Sequence, residues 1–260
     1  MSNKTIKLIS LNTWAGRALY PLMKFFHKQK DNIDIFCLQE VHNIDQMTAD
    51  ERHPEEHICG PLFDKISKEL DNYEGSFAYF DDDKRRMSLA VFFKSGLPVR
   101  TIEDFIVFQP EQPREIGSRM LTARKLQYIT LDFNSKELLV ANYHGLWNGG
   151  PKIDTPERIE QSKKIKEFLN GIDGPAIFCG DLNLLPDTQS IGILEEDMRN
   201  LVKDHGIKST RTSLYRHYEN ADEPNFADYM LVTPDINVID FKVLPDIVSD
   251  HSPLFLEFSH

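Results

Sequence analysis

The chain has 260 residues, 40% hydrophobic and 27% charged, which is ample for a sizeable core and ordinary for a globular protein. Asp and Glu number 41 against 30 Lys and Arg, a formal net charge of -11 that excludes a broad basic surface of the kind that grips duplex nucleic acid. A phosphate substrate stays open, because bound metal ions can offset local carboxylates. There is no low-complexity run, no Gly/Ser linker and no repeat period, so one domain over 1–260 is expected.

In chain order, "IKLISLN" (6–12) reads as a first strand that ends at a polar Asn. "ALYPLMKFFHKQK" places Leu19, Leu22, Met23, Phe25 and Phe26 at roughly helical spacing, and "IDIFCLQE" (33–40) is a second strand, apolar until Gln39 and Glu40. Residues 42–60 look polar and irregular, and "PLFDKISKEL" is helical. Strands follow at "GSFAYF", "SLAVFFK", "EDFIVF", "TARKLQYITLDF" and "ELLVANYH". "TPERIEQSKKIKEFL" carries a capping Thr155, Pro156 in the first turn and early acids at Glu157 and Glu160, with Ile159, Ile165, Phe168 and Leu169 as its expected buried face. "PAIFCGDLN" is a strand, "DTQSIGILEED" a helix, and "FADYMLV", "INVIDFKV" and "PLFLEF" are late strands.

These strands outnumber what one doubly wound sheet of this length needs. The expected fold is a four-layer α/β sandwich, two packed mixed β-sheets, buried on both faces and flanked by helices. "MSNKTIKLISLN" has no apolar signal-peptide core, and no apolar run is long enough to span a bilayer. The cysteines Cys37, Cys59 and Cys179 are odd in number, and two lie in apolar runs. A cytoplasmic location is expected, with no protein partner legible.

Several predicted strands end in residues that carry chemistry. Asn12 ends the first and Glu40 the second, "NYHGLW" delivers His144, "FCGDLN" delivers Asp181 and Asn183, "FADYM" delivers Asp228, and "VSDHSPLFLEF" offers Asp250 beside His251. Strands converging at one end would gather this set into one pocket. Hard oxygen donors with incomplete protein coordination suit Mg²⁺ or Mn²⁺, and imidazoles can stabilise charge developing on phosphorus oxygens. Asp181 and Asn183, two apart in extended chain, would face the same way. Each residue singly has an ordinary reading as an Asx turn, an exposed strand end or a half-buried histidine.

The ordered series "LNTW", "LQEV", "YHGLW", "GDLN", "FADYM" and "SDHSPL", spread over 11–254, resembles the metal-dependent endonuclease/exonuclease/phosphatase superfamily. The helix between the histidine and "GDLN" motifs supplies that family's Arg-x-x-Gln pair at Arg158 and Gln161. "FADYM" departs from the commoner Arg-Ile-Asp-Tyr-Ile pattern at its first two positions. The resemblance implies metal-dependent phosphoester hydrolysis. Asn12 and Glu40 would hold the metal, with Asp250 in the same cluster or at a second site. Asp181 would orient or activate water, and Asn183 would hold water and phosphate. His144 would stabilise the phosphoryl transition state or assist the leaving group, and His251, held by Asp228, would contact the scissile phosphate.

Arg119 in "GSRMLTARKL" is a candidate for a family arginine near the phosphate, and Trp14 either lines the pocket or is a buried aromatic. His42, His53, His57 and Cys59 match no strong zinc spacing and read as a solvated loop that shapes substrate access. "DDDKRR" (81–86) reads as a solvated hairpin tip. The expected substrate is a nucleic-acid or nucleotide-like phosphodiester; a phospholipid or inositol-phosphate headgroup is the alternative, and a catalytically silent binding module a second.

Overall fold

The computed structural model describes residues 5–43, 48–50, 53–58, 61–80, 87–111, 115–116, 119–120, 122–133, 136–220 and 225–259. At 48–50, 53–58, 115–116 and 119–120 it describes the backbone alone. β1 (Ile6–Asn12) leads through a 3-10 turn (Trp14–Gly16) into α1 (Leu19–Gln29) and β2 (Ile35–Val41). A small antiparallel pair, β3 (Thr48–Asp50) and β4 (His53–Ile58), precedes α2 (Leu62–Glu69), β5 (Tyr73–Phe77), β6 (Ser88–Lys94) and β7 (Val99–Phe108). Then come β8 (Glu115–Ile116), β9 (Arg119–Met120), β10 (Arg124–Phe133), β11 (Lys136–His144), α3 (Pro156–Asn170) and β12 (Ala176–Asp181). The chain continues through α4 (Gln189–Glu195), β13 (Arg199–Asn200), α5 (Leu201–Asp204), β14 (Asp228–Val232), β15 (Asn237–Val243) and β16 (Leu254–Ser259).

The expected sandwich forms. One six-stranded sheet runs β15-β16-β1-β2-β6-β5 and the other β13-β14-β12-β11-β10-β7, each mixing parallel and antiparallel pairs. Alternation along β1 explains the layering. Ile6 and Leu8 face the second sheet and join a core with Ile35, Cys37, Leu139, Phe178 and Cys179. Ile9 and Leu11 face outward and pack with Leu22, Phe25 and Phe26 of α1 and Leu62 and Ile66 of α2. A polar bolt crosses the buried gap between the sheets. Gln39 Nε2 donates to Asn142 Oδ1 at 2.7 Å and to Ser10 Oγ at 3.3 Å, and Asn142 Nδ2 donates to the carbonyls of Leu38 and Ala90. In low dielectric such bonds hold the two sheets in one relative placement.

Three expectations need correction. Burial on both faces fails at the edges, since β7, apart from Val107 and Phe108, and β15, apart from Phe241, are exposed or half-buried and have one strand neighbour each. Residues 42–60 are not wholly irregular, because β3 and β4 pair; there the side chains of His53 and His57, and Cys59 entirely, lie outside the described residues. His42 is buried, so the solvated-loop reading fails at that residue. The third concerns α3, whose fully buried face is Arg158, Gln161, Ser162 and Ile165; Ile159 is only half-buried, and Phe168 and Leu169 pack partly against the core. "DDDKRR" lies outside the described residues. Among the described residues no helix is long and apolar enough to cross a membrane.

The polar face of α3 has a structural cause. The Arg158 guanidinium donates to the carbonyls of Leu146, Pro151 and Ile153 and to Asn148 Oδ1, bonding a loop that begins just after β11. Gln161 Oε1 accepts from Tyr143 Oη at 2.6 Å and from Leu146 N at 3.2 Å. Thr155 caps the helix as expected, accepting from Arg158 N. Replacing Arg158 with Ala strands three carbonyls, and the variant is expected to lose roughly 3 kcal/mol of unfolding free energy. Urea denaturation checks this, and a loss below about 1 kcal/mol would remove the loop-anchoring role.

Candidate active site

Register places the first row of the site. His144 ends β11 opposite Asp181 of β12, and Asp181 pairs across to Asp228 of β14, so three adjacent strands present three functional side chains side by side. This closeness depends on Gly180. Its φ is 141°, and a Cβ there would lie 1.9 Å from the Tyr143 carbonyl oxygen. From the other sheet come Asn12 at the end of β1, Glu40 near the end of β2, and the Asp250–His251 turn just ahead of β16.

Two of these side chains reach the site by breaking alternation. Glu40 follows Leu38, which faces the helix layer, but it adopts φ 54° at a bulge between Leu38 and Val41. Asn183 also sits at φ 54°, so extended-chain alternation does not align it with Asp181. Instead its N–H donates to Asp181 Oδ1 at 2.9 Å, an Asx turn that is itself part of the site. Left-handed backbone at two non-glycine residues, both at the same pocket, is strain of the sort functional sites retain.

The expected eight residues converge. Asp181 is 1% exposed. Its Oδ2 accepts from Asn12 Nδ2 at 2.9 Å and lies 3.6 Å from both His144 Nε2 and His251 Nε2. Glu40 Oε1 is 3.8 Å from His144 Nε2, and Asn183 Nδ2 is 3.3 Å from the same nitrogen. His251 Nδ1 stands 2.9 Å from both oxygens of Asp228, and its Nε2 is 3.7 Å from Asp250 Oδ1. Asn12 is spent at both ends, since its Oδ1 accepts from Trp14 N at 2.9 Å. Trp14 itself is half-buried at φ 51°. Arg119 contributes backbone to β9, and its side chain lies outside the described residues.

Charge divides the labour. Burial alone would raise the Asp181 carboxyl, but His251, His144, Arg211 and Lys152 overcome it and hold the group well below the usual carboxylate range. Burial, with Arg124 adding to it, drives His144 down to about 3, so its ring is neutral near neutral pH. Burial also lowers His251, as does Arg211, but Asp228, Asp250 and Asp181 outweigh both and raise it. Burial raises Asp228 as well, so the pair competes for one proton. We place it on the ring, because two carboxylate oxygens equidistant from Nδ1 are acceptors around one N–H.

Two residues at this site are invisible to motif reading. Arg211 Nη1 donates to Asp250 Oδ2 at 2.8 Å and lies 2.5 Å from His251 Nε2. A guanidinium only donates, so that second contact suits an unprotonated Nε2, whereas the imidazolium favoured by the three carboxylates requires the two N–H groups to part. Lys152 is buried, and burial lowers its ammonium to about 8. The only sequence signal was a lone arginine in a run of small hydroxyl residues, "STRTS".

Among the described residues, ligand atoms of Asp181, Asp228 and His251 lie close enough to share a metal ion. The Asp228–His251 hydrogen bonds occupy part of that grouping, and two of the expected ligands are hydrogen-bonded as well, Asn12 to Asp181 and Trp14, and Asp250 to Arg211. Burial raises Glu40, His251 opposes, and Asp250 and Asp181 push it further up. Crowded, mutually repelling oxygen donors suit a hard divalent cation.

Residues 9–251 match the model of the endonuclease/exonuclease/phosphatase family. No curated protein sequence matches the chain. Similar solved structures include an endonuclease/exonuclease/phosphatase family protein from Bacteroides thetaiotaomicron, 17% identical with a TM-score of 0.74, covering 99% of this chain and 98% of that one. A mannosyl-6-phosphatase from Bacteroides thetaiotaomicron VPI-5482 is 18% identical with a TM-score of 0.70, over 98% of this chain and 100% of that one. TDP2 from D. rerio, complexed with a single-strand DNA product, is 14% identical with a TM-score of 0.72, over 99% of this chain and 100% of that one. At these identities the likeness is one of fold.

Proposed function

Because the chain belongs to the endonuclease/exonuclease/phosphatase family, we propose that it is a Mg²⁺-dependent phosphodiesterase acting on a nucleic-acid or nucleotide-like substrate. The observation that carries this reading is Asp181 Oδ2, anchored by Asn12 and flanked at 3.6 Å by two imidazoles. Asn12, Glu40 and Asp250 would hold the ion, with Mn²⁺ as a substitute; a bound divalent ion supplies Lewis-acid stabilisation of charge on phosphate oxygens.

The chain's own residues do the rest. A carboxylate as depressed as Asp181 is a weak base, so its main contribution is to orient the attacking water. Asn183, turned toward His144, holds water and a phosphate oxygen. His251, kept cationic by Asp228, donates to the oxygens on which charge builds in the transition state. His144, being neutral, donates a hydrogen bond there or to the leaving oxygen without adding charge. All this machinery belongs to one catalytic domain over 1–260.

The acidic balance of the chain favours short ends and flexible single strands over a long duplex. The test is hydrolysis of a panel with Mg²⁺, Mn²⁺ or excess chelator. It holds single- and double-stranded DNA, RNA, a chromogenic phosphodiester, a lysophospholipid, a sphingomyelin, inositol polyphosphates and a sugar 6-phosphate. Chelator-sensitive cleavage, fastest on the nucleic acids or the diester, is expected. Preference for a lipid or inositol headgroup would move the substrate to that class, and metal binding without turnover anywhere would favour a silent binding module.

A further inference from the structure

Arg211 is held more firmly than an incidental counter-ion. Thr210 Oγ1 accepts from the N–H groups of Ala227 and Asp228 at 3.0 and 3.2 Å, and Ser252 N donates to the Thr210 carbonyl at 2.9 Å. Arg211 itself bridges to His251 through the backbone. The segment is thereby tied to both partners of the Asp228–His251 pair. The side chain is 6% exposed, and its guanidinium lies 4.5 Å from the centre of the Tyr215 ring. Lys152 Nζ is 5.5 Å from the same ring and donates to the Phe226 carbonyl at 2.6 Å.

All the hydrogen bonds of this guanidinium run through Nη1. Nε is buried without an acceptor, and Nη2 makes no hydrogen bond among the described residues. A buried N–H left unbonded is costly, and a counter-ion for Asp250 alone would not need a planar fork. The unspent donors sit on a group already in contact with His251 Nε2. We propose that Arg211 is a substrate-binding residue, whose free Nε and Nη2 donors grip non-bridging oxygens of the substrate phosphate beside His251, with Lys152 as a supporting cation. Two charge-assisted N–H bonds in a fixed plane match the spacing of two oxygens on one phosphorus.

Naming the anion as phosphate rests on the phosphoesterase reading, and the test separates the two. Inorganic phosphate is titrated calorimetrically, in excess chelator, into the wild type, Arg211→Gln, Arg211→Lys and Lys152→Met. Arg211→Gln is expected to weaken phosphate at least about tenfold, and Arg211→Lys nearly as much because it loses the fork. Lys152→Met should weaken it a few-fold. With the preferred substrate, Arg211→Gln should raise KM by a similar factor, and added guanidinium should partly rescue Arg211→Ala. Phosphate affinity and KM within twofold of wild type in a folded Arg211→Gln protein would overturn the proposal. Wild type without turnover would defeat the phosphoesterase reading and leave the phosphate titration to decide Arg211. Should Arg211→Gln fail to fold, phosphate added to arginine-labelled wild type should shift one buried Nε–H resonance, and the lack of any shift would equally overturn it.

Discussion

Asp181→Ala is expected to lower metal-dependent turnover by about three to five orders of magnitude in a protein that still folds. The carboxylate is the hub of the site, because Asn12, Asn183, His144 and His251 all orient on it. Groups that act as a unit fail together, so removing the hub forfeits most of what the others contribute. Asp181→Asn is no rescue. An amide keeps only one of the two acceptors: with its oxygen toward Asn12 Nδ2 its nitrogen meets the Asn183 N–H, and turned over it meets Asn12 Nδ2, donor against donor either way. The substitution also has a stability signature whose sign is fixed. The folded-state carboxyl lies below its unfolded value, so its contribution is fully present above an unfolded pKa of about 4 and is lost as pH falls through the folded one. Asp181→Ala should therefore be less stable than wild type near neutral pH, and the gap should narrow in acid. Single-turnover rates with urea denaturation at two pH values test both halves. Wild-type turnover in the variant would remove Asp181 from the mechanism.

The strand ends of this site were legible because each interrupts an apolar run with a residue that a buried strand would not otherwise carry. Asn12, His144, Asp181 and Asp228 all obey that rule, and inward alternation delivers them. Glu40 was found by its place in the series, but its route was not legible. Counting by twos from Leu38 puts it among the helices, and only a bulge with φ 54° turns it back. Asn183 is the same case.

The helix α3 misled for a different reason. Hydrophobic spacing finds faces buried against apolar neighbours, whereas Arg158 and Gln161 are buried against unsatisfied backbone groups of a loop, which leave no trace in periodicity. Arg211 was missed because its partners are 39 and 40 residues away in the chain and its own segment forms no regular element. Long-range pairing of a single charged residue is the kind of fact that only the fold supplies.

Asp228→Asn should lower the rate by about two to three orders of magnitude at alkaline pH and by much less in mild acid, a difference that tells orientation from electrostatics. The amide keeps an acceptor for His251 Nδ1–H, so the ring should stay where it is while the negative charge disappears. Burial and Arg211 already work against the imidazolium, and Asp228 heads the carboxylates that outweigh them. Without it the His251 pKa falls. If catalysis uses the cationic ring, activity is lost as pH rises through that pKa, so the alkaline limb of the kcat/KM profile should move to lower pH. A purely orienting Asp228 predicts something else, namely a uniform loss at every pH with the limb unmoved. Burial raises Asp228 itself, so part of the native pair's proton affinity resides on the carboxylate, and the amide abolishes that part too. Both contributions act in the same direction. A pH–rate series on the two proteins with one substrate settles the assignment, and an acidic limb that moves to lower pH while the alkaline limb stays put would mean His251 works as a neutral base.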